Sequence, residues 1–168
     1  MTEPRRGVFP GSFDPLTTAH LAVADAAVAA CGLHEVHLVI SRVALAKEGG
    51  AHTSVDARLA AIDSARAARP FLRAVTTDAQ LIADIAAGYE VCIVGADKWH
   101  QLQDPTFYGD SVDARDAALG RLPALAVAPR AGIESPPPSA EVVLLEIDAA
   151  FREVSSTAVR SGRHDWRA

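Results

Sequence analysis

Cysteine is scarce in this sequence: Cys31 and Cys92 are the only two in 168 residues, and they form no Cys-x-x-Cys spacing. Neither a disulfide framework nor a zinc site built on cysteine finds support. Long apolar runs are missing as well, so no segment reaches the length of a membrane-spanning helix. The arginines at positions 5 and 6 are not followed by the apolar stretch of a secretory signal. A reducing cytoplasm is therefore the expected location. Nor is there an excess of positive charge: 16 Lys and Arg stand against 21 Asp and Glu, for a net charge of −5. That balance disfavours broad electrostatic attraction to nucleic acid, and it confines any phosphate site to a local cluster.

What is present reads as one globular unit. Hydrophobic residues make up 49% of the chain and charged ones 22%, which is the range of soluble folded proteins. The length suits one hydrophobic core and is short for two, so a single domain over residues 1–168 is expected. Runs at 6–9, 35–41, 71–76, 89–95, 124–128 and 142–147 have strand character. Between them lie alanine-rich helical stretches. The first spans about Thr18 to Cys31 with Gly32 as its stop; a second is capped by Ser54 or Asp56 and ended by Pro70; a third fits Asp78 to Ala87. Weaker ones follow Asp97 and Ser111. Alternating β and α elements with mostly apolar strands predict an α/β fold, a Rossmann-like doubly wound parallel sheet whose ligand crevice lies at the carboxyl ends of the strands.

Three segments carry candidate chemistry. Residues 7–20, GVFPGSFDPLTTAH, lead from the first strand through a glycine-containing turn into the first helix. Gly11 permits close approach of the backbone to a ligand. Thr17 and His20 share a face of the helix start, where unpaired N–H groups and partial positive charge favour an anion. A plainer reading makes Asp14, Thr17 or Thr18 a helix cap and His20 incidental. Residues 154–160, VSSTAVR, follow the last expected strand. Three hydroxyls meet there at one helix start, and Arg160 is spaced to reach the same anion. Alone, such a run is usually a cap or a solvated turn; paired with the first segment, it suits a polyphosphate. Residues 93–97, IVGAD, end a strand and also have a plain reading as a helix cap.

Together these segments resemble the nucleotidyltransferases of the HxGH superfamily, which includes nicotinate- and nicotinamide-mononucleotide adenylyltransferases and phosphopantetheine adenylyltransferase. Gly11-Ser12-Phe13-Asp14-Pro15 followed by Thr17-Thr18-Ala19-His20 is similar to the superfamily's first segment, with Ala19 where a glycine usually stands. A helix accepts alanine readily, so a tolerated change is expected. Val154 to Arg160 is similar to its second segment. The resemblance implies transfer of AMP from ATP to a phosphorylated acceptor, with release of pyrophosphate. It places His20 on the α-phosphate with help from Thr17 and the backbone of Gly11, Ser12 and Phe13, and it places Ser155, Ser156, Thr157 and Arg160 on the β- and γ-phosphates. Mg²⁺ is implied as an ion carried by the nucleotide, without a dedicated set of metal ligands in the chain.

Gly95-Ala96-Asp97 resembles an element of the pyridine-mononucleotide branch, which implies that Asp97 accepts hydrogen bonds from ribose hydroxyls. Lys47 and Arg58 have a spacing similar to a lysine and an arginine of that branch, implying contacts to the acceptor. Arg130 resembles a family arginine near the nucleotide. The acceptor so implied is nicotinate or nicotinamide mononucleotide, and the product a dinucleotide of NAD synthesis. The tryptophan common in that branch is not found at its usual spacing; Trp99 lies too close to Asp97, which leaves Phe107 or Tyr108 as substitutes. Phosphopantetheine adenylyltransferase or a cytidylyltransferase is the runner-up, favoured by threonine at position 17. A non-catalytic nucleotide-binding relative is the alternative of another class, favoured by Ala19 and by the short stretch after Arg160. No nucleic-acid or membrane partner is expected, and assembly of identical copies is left open.

Overall fold

The computed structural model describes residues 3–43, 53–152 and 167–168. Six strands form one sheet: β1 (Arg6–Pro10), β2 (Glu35–Ser41), β3 (Leu72–Thr77), β4 (Val91–Gly95), β5 (Ala124–Ala128) and β6 (Val142–Leu144). Their order is β3-β2-β1-β4-β5-β6, and every pairing is parallel. The expected Rossmann-like sheet is thus observed, strand for strand.

Apolar residues at consecutive strand positions bury both faces of the sheet. On β4, Val91 and Ile93 join one core with Phe9, Leu38, Ile62 and Leu72, whereas Cys92 and Val94 join a second core with Val8, Val39, Ile85 and Val127. Successive side chains of a strand point to opposite faces, so each central strand feeds both cores and needs a helical layer over each. Helix α1 (Thr18–Cys31) covers the first core through Leu21, Val23, Ala24 and Ala27, and α2 (Val55–Ala65) covers it through Ile62. On the other face lie α3 (Ile82–Ile85) and α4 (Ala96–Gln103), which bury Ile85 and Ala96 in the second core. A 3₁₀ turn (Pro105–Tyr108), α5 (Val112–Arg121) and α6 (Ala149–Arg152) complete the described elements.

Local signals placed most boundaries. Gly32 takes the left-handed conformation at φ 62° and stops α1, and the Ser54 hydroxyl accepts the Ala57 N–H to cap α2. The third helix is shorter than the periodicity suggests. Residues 78–81 do not join it, because the strand ends hold that backbone: the Ser41 hydroxyl donates to the Ala79 carbonyl at 2.6 Å, and the Thr77 hydroxyl accepts the Ala79 N–H at 3.2 Å. The order of strand addition reverses between the parallel neighbours β1 and β4, after which α1 and α4 cover opposite faces of the sheet. The crevice at that switch point, beyond the carboxyl ends of the strands, is where an open α/β sheet takes its ligand.

Candidate active site

The turn after β1 delivers His20 to this crevice. Thr17 caps α1 and His20 answers it in a reciprocal box: the Thr17 hydroxyl accepts the His20 N–H at 3.4 Å, and His20 Nδ1 accepts the Thr17 N–H at 2.9 Å. An Nδ1 that accepts a backbone proton carries none of its own, so the ring proton of the neutral imidazole resides on Nε2 and can be donated outward. Phe13 and Phe9 meet the ring edge-on, at 4.9 and 6.0 Å between centroids. Burial, reinforced by the positive charge of Arg130, pushes the His20 pKa down from 6.5 to about 4. His20 is therefore a neutral hydrogen-bond donor at physiological pH.

That depression has a measurable consequence. The unfolded chain takes up a proton near 6.5 while the folded protein resists it down to about 4. Unfolding binds a proton in this window, so the stability His20 allows is present above 6.5 and is lost as pH falls toward 4. Melting temperatures between pH 7.5 and 4.5 are expected to fall more steeply for wild type than for His20→Gln. Parallel curves would show that His20 is not held neutral.

Beneath the same turn lies a buried ion pair. Arg58 Nη2 is 3.2 Å from Asp14 Oδ2, and each side chain is only 3% exposed. Arg58 also donates to the carbonyls of Thr53 at 2.7 Å and Ser12 at 3.2 Å, while Asp14 accepts the Thr53 N–H at 3.1 Å. Arg58, expected from the sequence to contact an acceptor, is thus turned inward onto the turn itself. Gly11 lies in the same turn and donates its N–H to the Val39 carbonyl at 3.1 Å. A Cβ on Gly11 would stand 3.0 Å from Cζ of the Phe13 ring, so the absence of a side chain lets the end of that ring approach the turn.

Across the crevice, Gly95 ends β4 and Asp97 enters the first turn of α4. A Cβ on Gly95 would come within 2.7 Å of Asp97 Oδ1; glycine is what permits the carboxylate to fold back over the strand end. Asp97 Oδ2 faces Arg130 Nη1 at 3.5 Å, both about two-fifths exposed. Such an open pair is weak enough to exchange for a ligand. The structure thus brings His20, Asp97 and Arg130, each expected on separate grounds, to the ends of three adjacent strands, β1, β4 and β5. Beside Arg130 a cleft of about 690 Å³ opens, lined by Val127, Pro129, Ser135, Leu144, Ile147 and Arg152 among others. Its size falls within the range of small-molecule sites.

Lys47, Ser155, Ser156, Thr157 and Arg160 lie outside the described residues. The chain on either side of the last four is anchored at the crevice: the Arg152 carbonyl accepts the Ala131 N–H at 3.2 Å, Arg167 bridges to Thr17, and the Ala168 N–H donates to the Leu16 carbonyl at 3.1 Å. Trp99 packs against the second core, Tyr108 donates its hydroxyl to the Leu102 carbonyl at 3.0 Å, and Phe107 is 58% exposed. Of the two aromatic substitutes, Phe107 is the one with a free ring face. Among the described residues no group of three or more His, Cys, Asp or Glu is placed to hold a metal ion, and no helix is long and apolar enough to cross a membrane.

A parallel sheet in this order, with a capped histidine, a carboxylate and an arginine at its switch point, defines a doubly wound protein of the nucleotide-handling kind. The chain belongs to the cytidylyltransferase-like family, whose model matches residues 8–162, and it is accordingly a nucleotidyltransferase. No curated protein sequence matches it. Among solved structures it is similar to the nicotinic acid mononucleotide adenylyltransferase of Plasmodium falciparum in complex with APC, with a TM-score of 0.65 and 15% identity over 95% of this chain and 83% of that one. At that identity the likeness concerns the fold.

Proposed function

We propose that this nucleotidyltransferase moves AMP from ATP onto a phosphorylated acceptor, nicotinate or nicotinamide mononucleotide, and releases pyrophosphate. The observation that carries the reading is His20 at the start of α1 with its Nδ1 taken up by the Thr17 N–H, on a sheet whose neighbouring strand ends carry the Asp97–Arg130 pair. An acceptor phosphate is already ionised near neutral pH, so its oxygen attacks the α-phosphorus without a general base. The new P–O bond forms as the bond from that phosphorus to the bridging oxygen breaks, and the electron pair leaves with pyrophosphate. What the protein must supply is alignment and hydrogen bonds to growing negative charge. His20 Nε2–H donates to the α-phosphate, and Arg130 adds positive charge beside it.

Ser155, Ser156, Thr157 and Arg160 are assigned to the β- and γ-phosphates. Arg167, seven residues after Arg160 in the sequence, bridges to Thr17 of the His20 turn. Lys47 is assigned to the acceptor phosphate. Mg²⁺, when bound with the nucleotide, offsets phosphate charge. Among the described residues no group of three or more His, Cys, Asp or Glu is placed to hold a metal ion, which fits an ion that relies on substrate for most of its ligands.

Asp97 is assigned to a ribose diol, where one carboxylate accepts two hydrogen bonds. Gly95→Ala displaces that carboxylate, since the added methyl would stand 2.7 Å from Oδ1. It is expected to raise KM for the ribose-bearing substrate about tenfold, the size of losing a hydrogen bond to a charged group, with the melting temperature nearly unchanged. An unaltered KM would remove Asp97 from the site. The reading as a whole is tested by following pyrophosphate release with each nucleoside triphosphate against a panel of phosphorylated acceptors. ATP with a pyridine mononucleotide is expected to be the fastest pair; a preference for CTP or for phosphopantetheine would move the chain to another branch, and nucleotide binding without release would make it a binder.

A further inference from the structure

Arg58 is buried among acceptors that all belong to the β1–α1 turn or to the residues just before α2. One guanidinium reaches the Ser12 carbonyl through Nη1, the Thr53 carbonyl through Nε and the Asp14 carboxylate through Nη2. The Ser12–Phe13 peptide is trans, and a trans peptide is planar with its C=O and N–H on opposite edges. Arg58 draws the Ser12 carbonyl inward, so the Phe13 N–H of the same plane is directed away from it. Among the described residues no hydrogen bond uses that N–H. Phe13 itself sits at φ 47°, a conformation that side-chain-bearing residues rarely adopt. The carbonyl immediately before it is the one that Arg58 grips. The ring of Phe13 in turn rests edge-on against His20 at 4.9 Å.

We propose that Arg58, with Asp14, is a positioning pair for phosphate transfer. By gripping the Ser12 carbonyl it aims the Phe13 N–H at an anionic oxygen of the bound nucleotide, and through the Phe13 ring it fixes the His20 imidazole. Arg58 acts from behind the turn and touches no substrate. The inference rests on the crevice being a nucleotide site. Its chemistry requires arginine: a lysine ammonium can neutralise Asp14, but it lacks the planar fork that serves three separate acceptors at once.

The test uses the full chain labelled with ¹⁵N at phenylalanine, titrated with ATP, as wild type and as Arg58→Lys. In wild type the Phe13 amide resonance is expected to move on ATP addition; in Arg58→Lys the movement at saturation falls to less than half. In parallel, Arg58→Lys is expected to lower kcat for pyrophosphate release about tenfold, the scale of a sub-ångström misalignment, with KM for the acceptor within a factor of about three of wild type. Equal Phe13 shifts in both proteins, or a tenfold rise in acceptor KM at unchanged kcat, would overturn the proposal, the latter by putting Arg58 on the acceptor. If Arg58→Lys fails to fold, Asp14→Asn, which keeps the shape and removes the counter-charge, supplies the same two readouts. The two readings fail separately. A wild type that releases pyrophosphate but shows no Phe13 shift sinks the positioning pair alone, and one that shows the shift but releases none sinks the transferase reading alone.

Discussion

His20→Ala is expected to lower turnover by about 10²–10³-fold, the cost of deleting one donor aimed at developing charge, while the protein stays folded. The fold has little reason to fail, because the Thr17 hydroxyl accepts the backbone N–H of residue 20 whatever its side chain, and alanine is the best helix former. KM for ATP should change less than kcat, since the hydrogen bond strengthens as charge moves toward the leaving pyrophosphate. The pH profile separates His20 from a general base. With its pKa held near 4 by burial and by Arg130, wild-type turnover should show no loss between pH 5.5 and 8 that His20→Ala abolishes. Steady-state pyrophosphate release measures both effects, and a wild-type-like kcat in the variant would remove His20 from the chemistry.

The second large effect is on stability. Asp14→Ala strands the Arg58 guanidinium, 3% exposed, without its counter-charge. Breaking a buried pair from one side costs roughly 3–5 kcal/mol, because the remaining charge is left desolvated and uncompensated. For a chain of this size each kcal/mol corresponds to about 2–4 °C in melting temperature, so a fall on the order of 10 °C is expected. Asp14→Leu combined with Arg58→Met removes both charges and should recover part of the loss. Denaturant titration or calorimetry checks this; a loss under about 1 kcal/mol for Asp14→Ala would mean that water reaches the pair in solution.

Much of the fold was legible in the residues because its signals are local. All six strands announce themselves as short β-rich runs, and Gly32 and Ser54 mark helix boundaries that depend only on neighbouring backbone. The third helix was overestimated for the opposite reason. Ala79 is held by the Ser41 hydroxyl, 38 residues earlier, and by the neighbouring Thr77 hydroxyl, and a bond like the first leaves no periodic trace. The site divides along the same line. Thr17 and His20 are three residues apart and their capping box could be read from spacing. The meeting of Asp97 with Arg130 needed the sheet order, which sets β4 and β5 side by side. Arg58 shows the limit most sharply. Its position suggested an acceptor contact, whereas its partners, Ser12 and Asp14, lie more than forty residues earlier and turn it inward. The only available sequence signal was an unusual one, an aspartate within an apolar turn that would need a buried cation once folded. The docking of Arg167 and Ala168 on Leu16 and Thr17 had no signal at all.

One triphosphate spanning two widely separated stretches of chain is the claim on which the rest depends. A crystal structure of the full chain with Mg²⁺ and a non-hydrolysable ATP analogue tests it most directly. The expected density places an α-phosphate oxygen about 3 Å from His20 Nε2, with the terminal phosphates against Arg160 and the Ser155 to Thr157 hydroxyls. A triphosphate bound away from the β1–β4 crevice, or His20 and Arg160 on opposite sides of the sheet, would contradict it.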